Sequence, residues 1–325
     1  MLLNLWSENL STDFMQLYNI STAQMCNILK QLASTDEKDT VTIFCEETGL
    51  KLDEVNVVDD DLEFIGKIVS TTIDDCDHLK KNGLIPIDVL LEQSSPIQQH
   101  LKSHQVEIYP STHELFYKGK RYFIPSSNQE CEWCAYNENE CRYAQSRYKD
   151  ISCPYRSAIS ILGTKLYSHN AEIEMFLASP RDEMLSYSRV NYFPEMLHTI
   201  DNFIYQHFRK SEKICLSWKD KKQYSYIVTF PVKYNDMSYR NNYIDNHSYS
   251  EASDTLYDYE EYCKNNYYDI NQVPKCFWDN VWLIRTCLSI IGSFGAYNGQ
   301  ICAGIKHEIT IPYDKLNIEK IPNTP

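Results

Sequence analysis

The apolar positions near the start of the chain recur at helical intervals. Directly after Ser21, a residue suited to an N-cap, apolar side chains fall on one helical stripe over residues 25–32. Residues 40–48 predict a second short helix, which Gly49 is suited to end. An acidic run then interrupts the pattern. We therefore predict that residues 1–60 form an N-terminal helical element that docks on the rest of the chain or on a partner.

The pattern changes after this element, and residues 64–70 predict a strand. The next segment has Thr72 as a candidate N-cap, lysines in its last turn and Gly83 at the C′ position, which is typical of a short capped helix. The same analysis predicts further elements: a hairpin over 115–124, a helix from Pro194, strands over 214–218 and 224–232, a helix over 274–291, and strands over 300–305 and 308–311. The predicted fold class is α+β.

The composition predicts a soluble, cytoplasmic globular protein. The chain has 325 residues, of which 43% are hydrophobic, and its longest apolar stretch, residues 277–294, is interrupted by polar and charged positions. The first ten residues lack the basic region of a signal peptide. The net charge of −14 argues against nucleic-acid binding by the surface as a whole. Local nucleic-acid binding at basic patches such as Lys118–Arg121 or Arg209–Lys210 is the alternative, although an ordinary solvated face is the simpler interpretation of these residues.

Four of the twelve cysteines form a cluster, whereas most of the others stand alone in apolar surroundings as reduced thiols do. The cluster has C-x2-C spacing, then six residues before the third cysteine and eleven before the fourth: Cys131, Cys134, Cys141 and Cys153. Four thiolates suit a tetrahedral structural zinc, and a metal would order this polar loop. Unconnected free thiols, or a redox pair at the first two positions, are the alternatives.

Two further features concern loops and histidines. The Cys-rich insertion spans roughly residues 125–155, and a second insertion, rich in Tyr, Asn and Asp, spans roughly 235–272. The second insertion has few aliphatic residues, so we predict a long mobile loop there; disorder is the favoured interpretation and a lid is the alternative.

His100 and His104 stand four residues apart on a predicted helix, which is the spacing of half a metal site. Without an H-E-x-x-H motif, a surface helix face is the favoured interpretation.

Two short segments resemble the ADP-ribosyltransferases, in particular their DNA-targeting, DarT-like branch. The first runs Val69-Ser70-Thr71-Thr72 and continues to the turn Lys81-Asn82-Gly83-Leu84. It resembles the early strand that carries H-x-T or R-x-T, followed by a short helix and an N-G-L-like turn. The second, His307-Glu308-Ile309-Thr310-Ile311-Pro312, resembles the late strand that carries the catalytic glutamate.

The resemblance implies a split β-sheet core over residues 61–325 and NAD as substrate. It also implies that Glu308, held on a strand, is the catalytic residue and that Ser70 or Thr71 contacts the nicotinamide ribose. Val69 departs from the family, because the His or Arg that contacts the dinucleotide would fall at this position. The chain has neither G-x-G-x-x-G nor a P-loop, so a dinucleotide would not be held in the Rossmann manner.

The resemblance implies an NAD-dependent ADP-ribosyltransferase, a toxin or phage-defence effector that modifies RNA or DNA. The interrupted apolar stretches predict that the protein has no membrane partner. An antitoxin protein would be its partner, with the N-terminal helices as a docking element. The alternative is a catalytically inert, zinc-stabilised binding protein, which Val69 favours. A nuclease-type toxin has less support, because the acidic residues show no metal-binding spacing.

Overall fold

The computed structural model contains α-helices and two β-sheets, one of seven strands and one of three. The structure describes residues 1–34, 40–58, 61–71, 76–124, 162–163, 166–167, 173–187, 192–222, 224–243, 275–293 and 299–322. Its helices are α1 (Leu10–Tyr18), α2 (Thr22–Ser34), α3 (Thr40–Thr48), α4 (Cys76–Asn82), α5 (Ile87–Glu92), α6 (Pro96–Ser103), α7 (Arg181–Ser186), α8 (Glu195–Phe208), α9 (Ile214–Lys221) and α10 (Lys275–Gly292).

The strands are β1 (Leu2–Leu3), β2 (Glu63–Ser70), β3 (Val106–Tyr109), β4 (Glu114–Tyr117), β5 (Lys120–Phe123), β6 (Ile173–Ala178), β7 (Tyr224–Lys233), β8 (Met237–Tyr243), β9 (Gln300–Ile305) and β10 (Asn317–Pro322). Seven strands form one sheet in the order β10-β7-β2-β6-β9-β8, with β1 added parallel to β2. Strands β10 and β7 pair antiparallel, and β3-β4-β5 form a separate antiparallel sheet. The predicted α+β class is therefore confirmed.

The chain divides into two compact units, each assembled from segments that are distant in sequence. Unit 1 comprises Met1–Gly66, Met175–Arg181 and Pro231–Ala303. Unit 2 comprises Lys67–Glu174, Asp182–Phe230 and Gly304–Pro325. The three N-terminal helices thus belong to the same unit as α10. A domain boundary near residue 60 stays a prediction.

In unit 1, the N-terminal helices and α10 share a core that contains a satisfied polar centre. The rings of Phe14, Tyr18 and Phe44 contact one another with centroids 5.0 to 5.8 Å apart. Asn280 of α10 is fully buried; its Oδ1 accepts a hydrogen bond of 2.9 Å from the Tyr18 hydroxyl. Its Nδ2 donates to the carbonyl oxygens of Leu52 at 3.0 Å and of Val55 at 2.7 Å. One amide therefore joins α1 and the loop after α3 to α10.

Unit 2 has its own hydrophobic core between α6, α8, α9 and the three-stranded sheet. Its members include the following fully or almost fully buried side chains: Leu91, Ile97, Leu101, Val106, Ile108, Leu115, Ile124, Leu197, Ile200, Phe203, Ile204, Ile214 and Trp218. The hairpin of this unit turns at Lys118 and Gly119, both with positive φ, which suits the twist of two antiparallel strands.

Most helices and strands lie where the hydrophobic pattern predicts them. The predicted helices at 40–48 and 274–291, the hairpin, and the strands at 64–70, 224–232 and 300–305 are confirmed within one or two residues. Ser21 caps α2 as expected, because its Oγ accepts from the Gln24 backbone N–H while its own N–H donates to the Gln24 side chain.

The strand predicted over residues 214–218 is wrong, since these residues begin helix α9. Ile214, Leu216 and Trp218 alternate as in a strand, but Leu216 is 57% exposed. Burial instead follows Ile214, Cys215 and Trp218, which is a helical face. The strand prediction failed because Leu216, an exposed leucine, made the apolar residues alternate as they do in a strand.

Two other segments differ from prediction. Strand β8 lies inside the segment predicted to be a loop over 235–272, and residues 244–274 are outside the described residues. At the C-terminus, residues 308–311 form no strand, because only Ile311 makes a bridge. Strand β10 follows instead and pairs with β7 over Asn317–Pro322. Among the described residues, no helix is both long enough and apolar enough to cross a membrane.

The isolated bridge of unit 2 joins Leu84, just after α4, to Ile311. The Leu84 N–H donates to the Ile311 carbonyl at 2.9 Å, and the Ile311 N–H donates back to Leu84 at 3.2 Å. Gly83 makes this approach possible: its φ is +68°, and a Cβ at this position would lie 2.2 Å from the Ile311 carbonyl oxygen. The close contact therefore requires glycine.

We predict that Gly83→Ala lowers the free energy of unfolding by about 2 to 3 kcal/mol, because it combines a left-handed backbone with a steric clash. The matched control is Gly49→Ala, since Gly49 also ends a helix at φ +71° but would place its Cβ in open space. The control should cost about 1 kcal/mol. Urea unfolding of both variants measures the difference, and equal losses would contradict the role assigned to the bridge.

We also predict that Asn280→Ala destabilises the protein by about 3 kcal/mol, because it leaves a buried hydroxyl and two carbonyls without their partner. Tyr18→Phe removes one of the same hydrogen bonds and should cost about 1 kcal/mol. Urea unfolding with hydrogen exchange on α1 and α10 provides the measurement. If Asn280→Ala costs no more than Tyr18→Phe, the amide does not organise this core.

Candidate functional site

The two segments that resemble the transferases meet in unit 2. The first ends at Gly83 and Leu84, and the second contains Ile311, so the bridge described above is a direct contact between them. Two backbone hydrogen bonds and a glycine that tolerates no side chain hold this contact. Residues far apart in sequence are therefore kept at one place by main-chain geometry.

Glu308 lies in a turn that precedes the bridge, which corrects the expectation that a strand holds it. The turn spans His307 and Glu308 and is closed by a hydrogen bond of 2.9 Å from the Ile309 N–H to the Lys306 carbonyl. Lys306, His307 and Glu308 are all exposed. The strand failed to form because only Ile311 pairs with a neighbour, so the alternating residues before it have no ladder to join.

The turn is tied to helix α5 through the neighbour of Glu308. His307 Nε2 lies 2.7 Å from Asp88 Oδ2, and the side chains are 47% and 20% exposed. A carboxylate oxygen accepts here, so Nε2 carries the proton and Nδ1 is directed elsewhere. The other Asp88 oxygen, Oδ1, is buried without a hydrogen-bond partner among the described residues. The arrangement presents an exposed carboxylate beside an oriented imidazole.

Ser70 and Thr71, the predicted ribose-contacting residues, lie at the end of β2 in different surroundings. Thr71 is 1% exposed, and its Oγ1 accepts a hydrogen bond of 3.0 Å from the Trp218 indole N–H. Ser70 is half-buried. Thr71 therefore packs in the core of unit 2, and Ser70 is the more exposed residue of the two.

Val69 is also half-buried and lies in β2, at the position where the family carries His or Arg. Its isopropyl group can neither donate nor accept a hydrogen bond. Any polar contact to a dinucleotide at this end of β2 must therefore come from another side chain or from the backbone.

The four clustered cysteines, Cys131, Cys134, Cys141 and Cys153, lie outside the described residues, as does Thr72. Within the described ranges, no group of three or more His, Cys, Asp or Glu side chains is arranged to hold a metal ion. The isolated cysteines include buried ones, and burial raises the pKa of the Cys215 thiol to about 12. That thiol is accordingly a packing group at neutral pH.

His100 is buried, which corrects the expectation of a surface helix face. It is 5% exposed on α6, and its Nε2 donates to the Ile214 carbonyl at 3.0 Å. Burial and the nearby Lys221 lower its pKa, so the neutral imidazole is favoured. His104 caps the same helix and lies 2.8 Å from Ser217 Oγ. The pair therefore connects α6 to α9 rather than forming half a metal site.

Sequence reasoning missed Trp218 and Asp88 as neighbours of the candidate residues. The hydrophobic pattern places Trp218 on a strand, whereas in the structure its indole N–H donates a hydrogen bond to Thr71, which is distant in sequence. Asp88 looks like an ordinary first-turn carboxylate of α5. Neither residue belongs to a recognisable motif, so only the tertiary contacts identify them.

No protein-family model, no curated protein and no solved structure matches this chain.

Proposed function

We propose that this protein is an NAD-dependent ADP-ribosyltransferase. The observation that carries the proposal is the hydrogen-bonded bridge between Leu84 and Ile311. The bridge joins the two segments that resemble the family. In that family the early and late strands pack together around the nicotinamide site, so this contact supports the proposal.

Glu308 is the proposed catalytic residue. Cleavage of the bond between nicotinamide and ribose develops positive charge on the ribose carbon, and a carboxylate hydrogen-bonded to the ribose hydroxyls favours that transition state. The turn that bears Glu308 is held by the bridge on one side and by the His307–Asp88 contact on the other. Ser70 is the proposed ribose contact, and Thr71 supports it through Trp218.

The proposed acceptor is nucleic acid, RNA or DNA, as in the DarT-like branch. The chain would then act as a toxin or phage-defence effector, and an antitoxin would be its protein partner. The N-terminal helices are the proposed docking element for that partner. A structural zinc at Cys131, Cys134, Cys141 and Cys153 belongs to the same proposal, because four thiolates match its preferred coordination.

A second candidate is a catalytically inert binding protein built on a similar scaffold. Three observations favour it: Val69 replaces the family's polar residue, Glu308 is exposed on a turn, and the Thr71 hydroxyl accepts a bond from a buried tryptophan. The two candidates differ in one measurable property, which is the turnover of NAD.

We predict that the purified protein releases nicotinamide from NAD and transfers ADP-ribose to RNA or single-stranded DNA. Glu308→Gln should lower the rate at least about a hundredfold, because the amide no longer stabilises the developing charge. Asp314→Asn is the matched control, since Asp314 is another exposed carboxylate of the same C-terminal segment. Labelled NAD and candidate acceptors provide the assay.

The result decides between the candidates. Turnover that falls in Glu308→Gln and not in Asp314→Asn supports the transferase. Absence of NAD turnover with RNA, single-stranded DNA and lysate favours the binding protein, provided that circular dichroism shows a folded chain.

We predict that metal analysis of the gently purified protein finds about one zinc per chain. Cys131→Ser should lower the bound zinc markedly, because a neutral serine hydroxyl is a much weaker zinc ligand than a thiolate. Cys26→Ser is the matched control, since Cys26 is an exposed and isolated cysteine. Substoichiometric zinc in the unmodified protein, or full retention in Cys131→Ser, would contradict the zinc site.

A further inference from the structure

Two basic stretches that are distant in sequence lie side by side in unit 2. Lys118 at the hairpin turn forms an ion pair of 2.7 Å with Glu212, in the connection between α8 and α9. Tyr117 hydrogen-bonds the same carboxylate. The β4–β5 hairpin is also packed on the end of α8, because the rings of Tyr117 and Phe208 lie 4.7 Å apart. The hairpin turn and the connection after α8 thus share one surface.

This surface, which we call the basic surface, consists of Tyr205 and the solvent-accessible residues of the ranges 118–121 and 209–222; Ile214, Cys215 and Trp218 of the second range lie in the core. The two ranges contain nine Lys or Arg and only two Asp or Glu, in a chain whose net charge is −14. All the cationic side chains are exposed except Lys222, which is half-buried. Such a concentration of positive charge in an acidic protein creates a local potential that attracts polyanions.

The cationic side chains of the basic surface differ in whether they are paired within the protein. Lys118 is paired with Glu212, and Arg121 contacts Glu114. The hydrogen bond from Lys118 lowers the pKa of Glu212, so this carboxylate stays ionised and fixes the hairpin turn in place. Arg209, Lys210 and Lys213 make no ion pair with any residue in the described part of the chain.

The basic surface also carries exposed apolar groups. Tyr205 is 53% exposed and Leu216 is 57% exposed, and these are the two most exposed large hydrophobic side chains of the described residues. Tyr205 lies one helical turn before Arg209, whose N–H donates to its carbonyl. Lys219 lies over the Tyr192 ring, with Nζ 4.4 Å from the centroid. An accessible aromatic ring one helical turn from an exposed arginine combines the two groups that bind unstacked bases and phosphates.

We propose that the basic surface binds single-stranded nucleic acid, with the lysines and arginines contacting phosphates and Tyr205 stacking on a base. A duplex is a poorer ligand, because its bases are already stacked and cannot use Tyr205. The proposal deepens the proposed function, on which it rests for its biological meaning, by naming the surface that would hold the acceptor. The candidate Glu308 segment and the basic surface belong to the same unit.

The test is binding of a fluorescein-labelled 20-nucleotide single strand, measured by anisotropy without NAD at several salt concentrations. We expect a dissociation constant in the range of about 1 to 100 μM and a marked loss of affinity between about 50 and 200 mM salt. The double variant Lys210→Glu/Lys219→Glu should bind about tenfold more weakly or worse, and its salt dependence should be shallower. Tyr205→Ala should weaken binding about fivefold or more.

The matched control is Lys30→Glu/Lys51→Glu, which changes the net charge by the same amount at exposed lysines of unit 1. Equal affinities of the two double variants would overturn the proposal, as would the absence of binding at low salt by the folded protein. Duplex bound as tightly as single strand, with Tyr205→Ala unchanged, would overturn the stacking contact. Because no step requires NAD, failure here leaves the Glu308 experiment unaffected, and the reverse also holds.

Discussion

The rest of the candidate site depends on the close backbone approach between Gly83–Leu84 and Ile311. It requires a residue without Cβ at a left-handed position, because a methyl group there would overlap the Ile311 carbonyl. Two hydrogen bonds then hold the C-terminal segment against the end of α4. Everything proposed for Glu308 follows from this contact, since the turn that bears it begins only a few residues earlier.

A second theme is the use of single buried polar groups to connect distant segments. Asn280 joins α1 and the loop after α3 to α10 in unit 1, and the Trp218 indole holds Thr71 in unit 2. His100 similarly connects α6 to α9 as a neutral imidazole. Each group is hydrogen-bonded, as a buried polar atom must be, so these contacts specify which segments pack together.

The positive charge of this acidic protein is concentrated locally in unit 2. The chain is strongly acidic as a whole, yet unit 2 collects lysines and arginines on the basic surface. The average charge argues against nucleic acid, whereas the local arrangement favours it, because electrostatic attraction over a Debye length of about 10 Å depends on nearby charges. The Lys118–Glu212 ion pair neutralises one of the cations, and it fixes the hairpin against the connection after α8.

The sequence by itself determined most local elements and the α+β class. Helix α3 and its terminal Gly49, the capping box of α2, the hairpin turn and strand β9 all follow from side-chain periodicity and turn chemistry, which act over a few residues. It also singled out Glu308 and Gly83. Tertiary structure alone decided that 214–218 is helical, that Glu308 lies on an exposed turn, that His100 is buried and that the two basic stretches are adjacent. These outcomes depend on which distant surfaces exclude water from each other, and no local pattern contains that information.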